Sequence, residues 1–140
     1  MDTARARIQE LRTALLDWHK QLLESEQHDY ERSIEKVTSA GKWLDLVIHD
    51  PRFAWLRELS AFIVRIDEQL AAEEGVTQSD ARRFLDEAKT LLTPSETGQG
   101  FARAYWDAMQ RDPGVILAHA AMTKIHGRLA ARTTDRLSPS

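Results

Sequence analysis

DPRFAWLRELSAFIVRIDEQLAAEEG, residues 50–75, is the stretch whose reading decides the fold. Asp50 can cap a helix with its side chain, and Pro51 suits the first helical position. Phe53, Leu56, Leu59, Ile63, Ile66 and Leu70 then recur in alternating steps of three and four, which is one face of an α-helix. Gly75 follows two glutamates and can take the left-handed conformation that closes a helix. Trp55, Phe62 and Val64 lie off the main face, so more than one neighbour is needed to cover it. The stretch therefore predicts a central helix against which others pack.

The rest of the chain supplies those others. Ile8, Leu11, Leu15, Trp18 and Leu22 make a heptad-like stripe on a first helix starting near Thr3. Polar residues from Glu24 to Asp29 interrupt the stripe, and Tyr30, Ile34 and Val37 resume it. With no Gly or Pro in the gap, the expectation is one continuous helix to about Val37. A short helix follows over Lys42–His49, with Trp43, Leu44, Val47 and Ile48 on one side. Asp50-Pro51 ends it, because the residue before proline is pushed out of helical angles. Thr77 and Asp80 approximate a capping box for a helix carrying Ala81, Phe84, Leu85, Ala88, Leu91 and Leu92. Thr93 to Gly100 reads as a loop. A fifth helix, Phe101–Arg111, presents Phe101, Tyr105 and Met109. Asp112-Pro113 opens a last helix to about Arg132, striped by Val115, Ala118, Met122, Ile125 and Leu129. The result is an all-α compact helical bundle of four main helices plus two short ones. It forms a single domain over residues 1–132, with a frayed C-terminal tail over 133–140.

Bulk properties fit that class. An apolar fraction of 42% and a charged fraction of 29% are ordinary for a globular domain. The absence of cysteine excludes disulfides, thiolate metal sites and cysteine nucleophiles. Arg5, Arg7, Glu10 and Arg12 interrupt any N-terminal apolar run, and no stretch reaches the roughly 18 apolar residues of a membrane span. A cytoplasmic setting without membrane contact is the expectation. A formal charge of −3 argues against nucleic acid as a partner. Lys124, Arg128, Arg132 and Arg136 form a basic ridge, but cations near a helix C-terminus also complement its dipole.

Several segments carry a resemblance. Phe53-Ala-Trp-Leu-Arg-Glu-Leu-Ser60 with Ile63-Val-Arg-Ile-Asp-Glu68, Leu91-Leu-Thr-Pro-Ser-Glu96, and Gln110-Arg-Asp-Pro113 with Leu117-Ala-His119 together resemble a group of short uncharacterised bacterial proteins. The similarity covers most of residues 10–120. It implies a bacterial origin and a single helical domain, and it implies no activity.

Candidate chemistry is sparse. His119 and His126, seven apart on the last helix, could bind a metal ion with His49 or Glu26. Against this, seven residues span about 10 Å along a helix axis, and no Glu-x-x-His or His-x-x-x-His pair occurs. The alternative reading of these histidines is as polar boundary residues. The Glu24–Asp29 gap has two readings as well. In one it is a solvated stretch. In the other it is a small-ligand pocket around Glu26 and Tyr30, with Arg57 or Arg65 offsetting the carboxylate. Phosphate loops, nucleophile elbows and zinc-protease motifs are missing from the sequence. Trp18 and Trp43 read as core, whereas Trp55, Phe62 and Trp106 are candidates for an interface. The functional expectation is a non-enzymatic helical protein without a cofactor. It acts through protein contacts, with a homodimer as the simplest form.

Overall fold

A computed structural model describes the backbone of residues 3–137 and the side chains of residues 3–132. Among the described residues the chain forms six α-helices and no strand. These are α1 (Ala4–Ser33), α2 (Ala40–His49), α3 (Ala54–Ala71), α4 (Gln78–Leu91), α5 (Gly100–Arg111) and α6 (Pro113–Leu137). A single 3-10 turn, Pro51–Phe53, joins α2 to α3. No described helix is long and apolar enough to cross a membrane.

The ends of the helices follow from side-chain capping. Thr3 accepts from the Ala6 amide, Ser39 from Lys42 and Asp50 from Arg52, each satisfying a donor that the first turn leaves without a partner. At α4 the capping box is complete. Thr77 Oγ1 accepts from the Asp80 amide and Asp80 Oδ2 from the Thr77 amide, both at 3.0 Å. The Thr77 amide, with help from Arg83, holds the Asp80 carboxyl below its ordinary range. Thr77→Ala should therefore cost about 1 kcal/mol, measurable as a lower denaturant midpoint with unchanged slope.

Helices α2 and α5 begin at Ala40 and Gly100, slightly ahead of the sequence reading, and three other boundaries differ more. Helix α1 crosses Glu24–Asp29 without a break but stops at Ser33 instead of Val37, because Ile34 leaves the helical region. Helix α3 stops at Ala71, where Ala72 turns extended. Gly75, at φ +77°, closes the turn beyond it, with Gln69 donating to its carbonyl at 2.8 Å. Helix α6 continues past Arg132 to Leu137. The remainder of the expected frayed tail, residues 138–140, lies outside the described residues.

The larger revision concerns the centre. Phe53, Leu56, Leu59, Ile63 and Ile66 are all buried, as their spacing requires. The two most extensive helix packings nevertheless both involve α1, against α6 and α3, and α1 also meets α4. Its 30 residues are long enough to pass all three. Ile8, Leu11, Leu15, Trp18 and Leu22 supply an unbroken buried stripe, none more than 1% exposed. Helix α1 is the axis of the structure, and α6 and α3 are the helices packed most extensively on it.

Candidate functional site

The polar gap in α1 is buried only in part. Glu24 and His28 are exposed, whereas Ser25 and Glu26 are 7% and 4% exposed, so the reading of the whole stretch as solvated fails at these two residues. A carboxylate at that depth needs a partner, and Glu26 has two on other helices. Its Oε1 accepts from Trp55 Nε1 on α3 at 3.2 Å and from Arg111 on α5 at 2.9 Å. One turn further along α1, Asp29 accepts from Arg32 at 3.0 Å and from Arg52, and Arg111 Nε lies 3.7 Å away. Burial pushes the Asp29 carboxyl up, but Arg111, Arg32 and Arg52 more than reverse this and hold it below its usual range. Two acids and three arginines thus form a cluster that joins α1, α5 and the 3-10 turn.

Neither arginine expected for Glu26 takes part. Arg57 donates to the Val47 carbonyl at 2.8 Å and so holds α2 against α3, while Arg65 pairs with Glu87 on α4 at 3.0 Å. Tyr30 is buried beside Phe53, with the Arg52 guanidinium over its ring at 5.8 Å. Arg111 is the residue that sequence reasoning missed. Its only signal was its place in the last turn of an amphipathic helix, a place that many surface arginines share.

Above this cluster lies an open cleft of about 640 Å³ between α3 and α5, with Glu26 at its base. Ala54, Gly100 and Ala104 line it, and their missing side chains are what leave the space. Trp55 forms one wall, packed 5.1 Å from Phe101, while Glu58 and Asp107 stand at the cleft as well. The α5 positions facing it, Gly100, Ala104, Asp107 and Arg111, recur every three or four residues, so a single helix face builds that wall.

The histidines go to different places. His19 meets Ser60 Oγ at 2.9 Å, and His49 meets Asp45 at 3.0 Å on the exposed side of α2. His28 lines a small hollow beside Ser25 and Asp112. His119 and His126 do share a groove of about 450 Å³ between α4 and α6, but each ring is engaged there. His119 Nδ1 is 2.7 Å from the Tyr105 hydroxyl, and His126 Nε2 is 2.7 Å from the Leu85 carbonyl. Burial lowers the pKa of His19 and of His119. It raises that of Tyr105, partly opposed by Trp18. Glu26 and His49 lie outside this groove, and among the described residues no three His, Asp or Glu side chains are placed to hold a metal ion.

The interface candidates separate too. Phe62 is 1% exposed and packs 6.1 Å from Phe84 on α4, so it is a core residue with no surface to offer. Trp55 is half-buried under α5 and spends its N–H on Glu26, and Trp106 is half-buried. The exposed apolar surface is elsewhere. Helix α2 buries none of its residues, Leu44 and Ile48 are 60% and 49% exposed, and nearby Ile34 is 60% exposed. The basic ridge is partly tied down, since Arg128 lies 3.0 Å and Arg132 3.9 Å from Glu10 on α1.

No family model matches the chain, and no curated protein or solved structure matches it.

Proposed function

We propose that this is a cytoplasmic, non-enzymatic protein that acts through protein contacts, with a second copy of itself as the partner. Its body is a compact bundle of four main helices, and α2, one of two short ones, is the contact element. The observation that carries this reading is the exposure of α2. The helix is rich in apolar residues, yet its main contacts among the described residues are with α3 and the 3-10 turn, and it leaves Leu44 and Ile48 in water. Scattered exposed residues such as Leu16 and Val64 are ordinary, but two on one face of a helix with no buried residue make a patch.

A second copy suits this patch for two reasons. Leu44 and Ile48 are four residues apart, so a two-fold antiparallel pairing of α2 sets Leu44 of each copy on Ile48 of the other. The helix also carries both Lys42 and Asp45, so two copies meet without a block of like charge, and antiparallel packing opposes their dipoles favourably.

Sedimentation velocity over a wide concentration range tests the reading. Wild-type protein should move toward a dimer as concentration rises, and Leu44→Glu with Ile48→Glu should stay monomeric without a lower melting temperature. A wild-type protein monomeric throughout would refute it.

A further inference from the structure

The second feature is the cleft over Glu26, and it bears on a ligand rather than a protein partner. Oε1 of Glu26 is saturated by Trp55 and Arg111, but Oε2 has no hydrogen-bond partner among the described residues. Glu26 is buried to better than nine-tenths and still lines the cleft. Oε2 is the part of this buried side chain that stays accessible from the cleft, and an accessible carboxylate oxygen without a donor can receive one.

The charges around it select the sign of the ligand. Arg52 and Arg111 line the cleft, but their charges are already offset by Asp29 and Glu26. Asp107 is held by Arg103 at 3.1 Å. Glu58 lines the cleft with no ion pair among the described residues. The uncompensated charge is therefore negative. Glu58 lies three residues from Trp55, so the carboxylate and the half-buried indole share one face of α3. An indole wall beside a free carboxylate is a setting that attracts cations. Ala54, Gly100 and Ala104 leave room for an apolar body next to it.

We propose that this cleft binds a small organic ammonium ion, its N–H groups shared between Glu26 Oε2 and Glu58 and its apolar part laid against Trp55. Benzylamine is a suitable probe, in phosphate buffer free of other amines. The readout is the indole N–H resonance of Trp55, identified by its loss in Trp55→Phe. Benzylammonium should shift that resonance saturably, with a dissociation constant on the order of millimolar for so small a ligand. Benzyl alcohol and phenylacetate should bind more weakly. Glu58→Gln, at an exposed position, should weaken benzylammonium roughly three- to fivefold. Ala104→Leu should abolish binding by filling the space. The proposal is overturned by the absence of a saturable shift, by phenylacetate binding as well as the amine or better, or by unchanged affinity in Glu58→Gln.

Discussion

Arg111→Met should destabilise the protein by about 3 kcal/mol, because it leaves a buried carboxylate without its countercharge. Glu26 has a side chain only 5% exposed, and Arg111 is the one cation among the described residues that touches it, at 2.9 Å. The Trp55 N–H remains as a donor, but a neutral donor does not replace a charge. Arg111 is itself 26% exposed beside an open cleft, so water can reach the vacancy, which places the loss toward the low end for a broken buried pair. Glu26→Gln should cost less. The amide oxygen can still accept from Trp55, and Arg111 keeps Asp29 within 3.7 Å. The double variant should then lose less than the sum of the two single losses, since once Glu26 is neutral the missing arginine matters less. Chemical denaturation of the four proteins measures this coupling. An additive double variant would mean that the pair does not act as a unit.

The difference between what was legible in the sequence and what was not follows the range of the interactions. Caps and stripes are local, and they read correctly: Asp50 before Pro51, Thr77 with Asp80, and the buried face from Phe53 to Ile66 all stand where the spacing puts them. The partner of Glu26 is 85 residues away on α5, and no spacing rule connects the two. An arginine reaches far enough that Arg57, Arg65 and Arg111 are equal candidates until the helices are placed. The same limit explains α2. Its apolar residues predict a helix with a buried side, and they do form a helix, but burial needs a neighbour, and among the described residues its main neighbours are α3 and the short 3-10 turn. Periodicity tells which residues share a face. It does not tell which faces are covered.

Trp55 and Phe62 show that limit in a testable form, because both lie off the main stripe of α3 and only the structure separates them. Helix α5 partly covers Trp55, while α4 closes over Phe62 completely, setting Phe84 against its ring at 6.1 Å. Phe62→Ala should accordingly cost about 3–5 kcal/mol, the range for truncating a buried aromatic where the surroundings cannot fully collapse. Collapse is restricted here because Ile63 and Ile66 on α3 and Leu85 on α4 are already committed to the core. The loss should appear in thermal and denaturant unfolding, with the folded fraction keeping the proposed self-association. Leu44→Glu should behave in the opposite way, leaving stability nearly unchanged and removing association. If Phe62→Ala instead weakened association while keeping wild-type stability, Phe62 would be an interface residue and its enclosure by α4 would be wrong. The two variants together separate the side chain that holds the bundle closed from the one proposed to meet a partner.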